Sequence, residues 1–216
     1  PTFRNRQTGL WARFTADELS TPKGFQRNPQ LVWEWYTWLR TLMADAQPNP
    51  AHLAIARLQA LLPQLTLITQ NIDGLHQRAG SSGVLELHGN LGRNKCLSCG
   101  MPADTRPDER RPPRCIHCGG LLRPDVVWFG EPLPADILAA AQQAVDACDV
   151  LISVGTSGEV YPAADLPLAA AAHGAIVIQV NPAATPLDTI TPFCLRGRAG
   201  EWLPRLVRGI ESTVRK

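Results

Sequence analysis

No stretch of eighteen apolar residues occurs in the 216-residue chain, so no segment is suited to cross a bilayer as a helix. Charge of one sign is not in excess. The net charge is +2, too near balance to mark a nucleic-acid surface. No internal repeat is evident, and no secretory leader is visible after Pro1. The length allows one domain with a sizeable core and an insert.

What is present begins with cysteine. Cys96, Cys99, Cys115 and Cys118 form two C-x2-C pairs with fifteen residues between them. Each pair offers two thiolates from one tight turn, and two such turns close a tetrahedron around one Zn²⁺. The intervening segment, Gly100 to Arg114, is polar and proline-rich, with almost nothing to bury. Metal would supply the stability that a core cannot. The alternative is a pair of disulfides. His117 lies inside the second pair, although four sulfurs already suffice. A four-thiolate metal has no open position, so the expected zinc is structural. Cys148 and Cys194 sit in apolar stretches and read as small buried hydrophobes. With four thiols committed to metal, the expected setting is reducing and cytoplasmic.

Asn28-Pro29 and Asn49-Pro50 both combine a capping side chain with proline in the first helical turn. They predict helices to about Ala46 and over Ala51–Leu62. The first carries Trp33, Trp35, Tyr36 and Trp38 on more than one face. Beyond them, short apolar strands are expected at Leu65–Thr69, Val84–Leu87, Val126–Phe129, Val150–Val154 and Ala175–Val180. Alanine-rich helices are expected from about Pro134 to Ala147 and up to His173, with a last helix over Glu201–Thr213. Apolar strands alternating with helices predict an α/β fold, a Rossmann-like parallel sheet with helices on both faces. A small domain would interrupt it, built from a helical insert (21–57) and a zinc ribbon (93–123). The sheet domain would then hold residues 1–20, 58–92 and 124–216.

Ligands of such sheets bind beyond the carboxyl ends of the strands. Polar or glycine-rich residues stand there in every case: Gln70 to His76, His88-Gly89-Asn90, Gly130-Glu131, Gly155-Thr156-Ser157-Gly158 and Asn181. Five such loops point to a ligand crevice. Gly155–Gly158 combines close backbone approach with two hydroxyls before a helix, which suits a phosphate, or forms an ordinary turn. Asn181 can bond a ribose hydroxyl or cap the turn before Pro182. His88 is either a satisfied structural group or a base that titrates near neutral pH. Asn71 and Asp73 flank Ile72, so an extended turn places both polar groups on one side; helix capping is the alternative.

The run Thr69-Gln-Asn-Ile-Asp-Gly-Leu-His76, followed in order by Leu87-His-Gly89, the four cysteines, Phe129-Gly-Glu131 and Gly155-Thr-Ser157, resembles the sirtuins, NAD-dependent protein lysine deacylases. The likeness extends over essentially the whole chain. Thr21-Pro22, Asn28-Pro29 and Trp33-Glu-Trp-Tyr36 resemble the bacterial and mitochondrial branch associated with desuccinylation. The resemblance implies that His88 is the catalytic base toward the NAD ribose. It implies that Arg4, Gln70, Asn71, Ile72 and Asp73 belong to the cofactor site, with Gly155, Thr156 and Ser157 on the phosphate and adenosine side. Asn181 would lie near the adenine ribose and Ala199 near the adenine. Val126, Phe129 and Gly130 resemble the strip that pairs with the backbone of an acyl-lysine protein or peptide. The implied reaction moves the acyl group from lysine to ADP-ribose and releases nicotinamide.

Two departures bear on activity. The family's first strand and its Gly-Ala-Gly loop are expected before Pro1-Thr-Phe-Arg4 and are not among these residues. The desuccinylase branch pairs a tyrosine with an arginine three positions on. Here Tyr36 is followed at that spacing by Leu39, and Arg40 comes one residue later. On a helix these positions are about 100° apart, so Tyr36 and Arg40 are the candidates on the acyl side, with Arg40 reaching an acyl carboxylate only if it swings inward. Other classes remain as alternatives: an NAD-binding protein impaired in turnover, or a zinc-ribbon binding module. Arg93, Lys95, Arg106, Arg110, Arg111 and Arg114 do cluster around the ribbon. Acidic residues interleave with them, and the ribbon has no aromatic on which to stack a base.

Overall fold

A computed structural model describes residues 14–104 and 111–214, so Arg4, Arg106 and Arg110 lie outside the described residues. The chain divides into two compact units. The first takes the described residues among 14–46, 71–73 and 88–133; the second takes 47–70, 74–87 and 134–214.

Three capped helices open the first unit: α1 (Ala16–Leu19), α2 (Pro22–Arg27) and α3 (Pro29–Ala44). Asn28 caps α3 as its sequence suggests, its Oδ1 accepting from the Leu31 N–H at 3.1 Å, with Pro29 in the first turn. The aromatic residues of α3 serve two cores. Val32, Trp35, Tyr36 and Leu39 pack with Leu19, Phe25, Leu91, Val126 and Trp128, whereas Trp33 packs with Cys96, Cys115 and Leu122. Two cores on one helix explain why it is apolar on more than one face.

Against α3 stand β3 (Gly89–Cys96) and β5 (Leu122–Val126), an antiparallel pair from Gly89↔Val126 to Cys96↔Leu122, with an irregularity between Asn90 and Asn94. The short β4 (Pro102–Ala103) pairs on the other edge of β3. This corrects one expectation. Residues 126–129 are not a strand of the parallel sheet. The strand ends at Val126 and is antiparallel. The backbone beyond it turns, with the Glu131 N–H bonded to the Trp128 carbonyl at 3.0 Å.

The second unit carries the parallel pairing. The expected strands at Leu65–Thr69 and Val84–Leu87 shorten to two-residue partners, β1 (Ile68–Thr69) and β2 (Leu85–Glu86). β6 (Val150–Val154), β7 (Ile176–Val180) and β8 (Phe193–Leu195) form a three-stranded parallel sheet in that order. α4 (Pro50–Leu61) and α8 (Ala199–Val214) pack on each other. Ala51, Ala54, Leu58, Leu203 and Val207 from these helices share a core with Val180, Ile152 and Val154. Alternation along β7 turns Val177 and Gln179 to the opposite face. α5 (Leu75–Arg78), α6 (Ala135–Asp146) and α7 (Asp165–Ala172) complete the unit, with α6 against α7 and α7 against β6 and β7. The grouping by contacts differs from the boundaries read in the sequence at five places: residues 14–20, 71–73, 88–92 and 124–133 join the ribbon unit, and residues 47–57, with most of α4, join the sheet unit.

Candidate active site and zinc centre

Cys96 closes β3 and Cys115 lies just inside the turn closed by the bridge of Arg114 to Leu121, so strand pairing brings the two C-x2-C turns face to face. All four sulfurs lie within 4.8 Å of one another, with Cys96 and Cys118 at 3.4 Å and Cys99 and Cys115 at 3.7 Å. A disulfide needs about 2.05 Å. Four thiolates at about 2.3 Å from one zinc stand about 3.8 Å apart, so these distances suit a single tetrahedral ion and exclude the disulfide alternative. The backbone N–H of Cys99 and that of Ser98 point at Cys96 Sγ at 3.5 and 3.3 Å. Led by the Cys99 N–H, these bonds bring the Cys96 thiol down to about 6, ready to ligate as thiolate. His117 is exposed in the turn and is not part of the cluster. The zinc is structural, since the donor set leaves no vacant position.

The first unit also holds His88. Its carbonyl accepts from the Val127 N–H at 2.9 Å. Gly89 follows with φ 74°, and a Cβ there would lie 2.1 Å from the Asp125 carbonyl oxygen, so only glycine lets β3 run this close to β5. The Leu91 N–H bonds to the Ile72 carbonyl at 2.8 Å. The loop Asn71-Ile72-Asp73 is thereby attached to the same strand that starts beside His88. One strand therefore runs from the candidate base to the zinc ligand Cys96. Asn71 is exposed, while Ile72, Asp73 and His88 are half-buried.

In the second unit the loops after β1, β6 and β7 are bonded together. Gln70 Nε2 donates to Thr156 Oγ1 at 3.3 Å, and Asn181 Nδ2 donates to the Thr156 carbonyl at 2.7 Å. The Gly155 N–H reaches the Val180 carbonyl at 2.9 Å. The strand-end residues Gln70, Thr156 and Asn181 thus form one chain of contacts, while Gly155, in the left-handed region at φ 66°, is exposed. Asn181 Oδ1 also accepts from the Ala183 N–H at 3.2 Å, which is the turn-capping role. Ala199 is the first residue of α8 and is half-buried. One expectation fails here. No helix begins at Gly155–Gly158: α7 starts only at Asp165, after a turn through Tyr161 and Pro162, so this loop has no helix N-terminus to offer a phosphate.

The Sir2 family model matches residues 1–162. The NAD-dependent protein deacylase 2 of Pyrobaculum aerophilum is 50% identical over 216 residues, covering 100% of this chain and 86% of that protein. A solved Sir2 homolog–NAD complex superposes with a TM-score of 0.92 at 45% identity, covering 99% of this chain and 84% of that one. Sir2Af2 bound to a myristoylated histone peptide gives a TM-score of 0.79 at 42% identity, over 91% of this chain and 86% of that one.

The chain belongs to the Sir2 family.

The fold of the family is the Rossmann-like arrangement expected from the sequence, and the cysteine cluster suits its zinc ribbon. Tyr36 and Arg40, named as acyl-side candidates, have different partners in this member of the family. Tyr36 is buried; its hydroxyl accepts from Trp128 Nε1 at 2.9 Å and lies 3.5 Å from Ser20 Oγ. Burial pushes the phenol above its ordinary range. Arg40 donates to the Leu91 carbonyl at 2.8 Å and to Asn94 Oδ1 at 2.5 Å, and its guanidinium lies 5.4 Å from the Trp33 ring centroid. Leu39 packs with Tyr36 in the apolar core. Cys148 and Cys194 are half-buried, not buried as expected.

Sequence reasoning missed Arg123 and the role of Glu131. Arg123 is only 2% exposed, and its fork grips the Glu131 carboxylate through Nη1 to Oε1 and through Nη2 to Oε2 at 2.8 Å. The signal available was an arginine following two leucines in the run Leu121-Leu-Arg-Pro-Asp-Val-Val127, where the one other charge is Asp125. A charge there demands a partner.

Proposed function

We propose that this protein is an NAD-dependent protein lysine deacylase, acting on acyl-lysine in proteins or peptides. The observation that carries the reading is 50% identity, over the whole chain, to a relative named for that activity. When bound, NAD supplies an anomeric carbon open to the acyl oxygen, a nicotinamide leaving group and an ADP-ribose that carries the acyl group away.

His88 is the general base in this reading, removing a proton from the NAD ribose through an imidazole nitrogen. What supports it is the rigid backbone on which it sits, tied to Val127 on one side and forced by Gly89 on the other. Gln70, Asn71, Ile72 and Asp73 serve the nicotinamide-side ribose. Gly155, Thr156 and Ser157 serve the phosphates and adenosine, with Asn181 near the adenine ribose and Ala199 at the adenine. Arg4 belongs to the same cofactor set by resemblance alone.

The substrate strip is Val126, Phe129 and Gly130. Phe129 is 63% exposed and Gly130 is exposed, which suits a surface awaiting an apolar lysine stem. The N–H groups of Val127, Trp128 and Phe129 donate to the His88 carbonyl, to Glu131 Oε2 and to the Ser20 carbonyl at 2.9, 2.8 and 2.9 Å. The Val126 carbonyl accepts from Arg123 and the Trp128 carbonyl from the Glu131 N–H, so a substrate strand supplies its N–H groups to the other carbonyls of this strip.

A neutral acyl group is the preferred cargo. Leu39 offers methyl groups where a carboxylate would need a cation, and Arg40 is committed to Leu91 and Asn94. We assign a reducing, cytoplasmic setting on the ground that a four-thiolate site requires reduced cysteines.

The test is nicotinamide release from NAD and an acetyl-lysine peptide. His88→Tyr should lower turnover by roughly 10²- to 10⁴-fold while the melting temperature holds. Equal turnover in mutant and parent would remove His88 from the base role.

A further inference from the structure

We infer that Arg123 and Glu131 are a pair of positioning residues, a buried clamp that sets the backbone of Val126–Gly130 for the acyl-lysine chain without touching it. The inference rests on the deacylase reading above for what the strip binds.

Arg123 is the second residue of β5 and reaches Glu131 in the loop that follows the strand. Beyond its two bonds to Glu131, its Nη2 donates to the Val126 carbonyl at 2.7 Å and its Nε to the Pro124 carbonyl at 3.3 Å. Its guanidinium carbon lies 3.4 Å from the Trp128 ring centroid, a stacked contact. Glu131 closes the circle from the other end: Oε2 accepts the Trp128 N–H at 2.8 Å. The ends of the strip, Val126 and Glu131, are held by one guanidinium, and its middle residue by both partners. Trp128 is 2% exposed and passes the constraint on, donating from Nε1 to Tyr36.

A purely stabilising ion pair would not need this geometry. A buried charge pair costs desolvation that an apolar pair avoids. Here Arg123 Nη2 and Glu131 Oε2 also bond backbone atoms of alternate residues, Val126 at the end of the strand and Trp128 just beyond it. The pair supplies hydrogen bonds that a sheet neighbour would otherwise supply, so residues 127–130 hold a fixed path while Phe129 and Gly130 stay exposed. Lysine could not replace Arg123, since a point ammonium can neither grip the carboxylate at two points nor stack flat on Trp128.

The experiment compares parent, Glu131→Gln and Arg123→Lys in the full zinc-loaded protein. Glu131→Gln keeps shape and one acceptor but loses the charge. Steady-state kinetics are measured with an acetyl-lysine peptide and NAD varied separately, beside amide exchange of residues 126–131. The expected result for Glu131→Gln is a KM for peptide raised about tenfold, a KM for NAD within twofold of parent, and faster exchange at Val127, Trp128 and Phe129. Exchange across β6, β7 and β8 stays as in the parent. Arg123→Lys should shift the same readouts further; if it does not fold, Glu131→Gln decides alone. A fall in kcat with unchanged peptide KM and unchanged exchange at 127–129 would overturn the inference. So would no change at all. A parent that releases no nicotinamide overturns the deacylase reading instead. The exchange at 127–129 still decides whether the clamp sets the strip.

Discussion

In the unit that carries β6, β7 and β8, cohesion comes from apolar side chains of α4 and α8 set against alternate residues of parallel strands. In the unit that carries His88 and the cysteines, the ribbon end of β3 has few such residues, and its small core is Trp33, Leu122 and two metal-ligating cysteines. There the cohesion passes to ligand bonds and to charge pairs: Arg123 with Glu131, Arg93 and Lys95 with Asp125. The sheet unit is held by many weak, interchangeable contacts; the ribbon end of the other unit, unlike that unit's own apolar core around Trp35 and Trp128, is held by a few strong ones. Substitutions should therefore be graded by site in the first and nearly all-or-none in the second.

Removing the metal is the severest test of that contrast. Cys115→Ser, or chelation, should release the one zinc per chain and unfold the ribbon, because structural zinc contributes about 10 kcal/mol or more of folding energy in small domains. Metal analysis and amide exchange check it: the ribbon strands β3–β5 should lose protection while β6–β8 keep theirs. Folded protein without zinc would contradict the contrast.

Leu203→Ala should cost about 2–5 kcal/mol, the usual range for a buried leucine. Leu203 is 1% exposed in the sheet-unit core. A thermal melt would show the loss with zinc still bound. Zinc release in step with this mutation would mean that the two kinds of cohesion are not separable.

Acid should reach the ribbon unit through its carboxylates. Burial alone would raise Glu131, but its bonds to Arg123 and to the Trp128 N–H outweigh that and hold it below the ordinary range. Asp125 is lowered in the same way by Lys95 and Arg93 against its own burial. A depressed folded pKa contributes stability above the unfolded value of about 4.3 for Glu or 3.9 for Asp, and that stability is lost as pH falls through the folded value. Protection of the amides at Val127–Phe129, measured against the intrinsic exchange rate at each pH, should therefore fall below about pH 4 in the parent, and in Glu131→Gln should already be low at neutral pH. Protection insensitive to acid in the parent would leave Glu131 without this role.

The smallest expected effect concerns Arg40. Its guanidinium is turned toward Leu91 and Asn94, so Arg40→Ala should leave the ratio of kcat/KM for acetyl-lysine over succinyl-lysine within about twofold of parent, while stability falls by about 1–3 kcal/mol for the lost charged hydrogen bonds. A parent that prefers succinyl and loses that preference on Arg40→Ala would show that the side chain swings to the substrate.

Much of the chain was legible where the signal is local. The Asn-Pro starts of α3 and α4 appear within a residue of their expected places, because cap and proline act within one turn. β6 and β7 match their apolar runs, since both are parallel strands covered along most of their length. Val126–Phe129 was misread because the same apolar run is produced by a strand end and by a turn packed on Trp35 and Tyr36. The helix expected directly after Gly155–Gly158 was misplaced because six residues, 159–164, with a turn through Pro162, intervene before α7.

Sequence alone determined the zinc ligands and their metal: two tight turns of two thiolates are a complete local donor set, and any fold that brings them together makes the same tetrahedron. It also named the strand-end loops, since polar and glycine residues after apolar strands have few other uses. Only the tertiary structure decided what those residues touch. Asn181 reaches Thr156 from 25 positions away, and Tyr36 meets Trp128 from 92. The partner of Arg123 follows from how β5 ends and turns back, not from any spacing along the chain. A buried charge announces in the sequence that a partner exists; which carboxylate meets it depends on the path of the backbone between them.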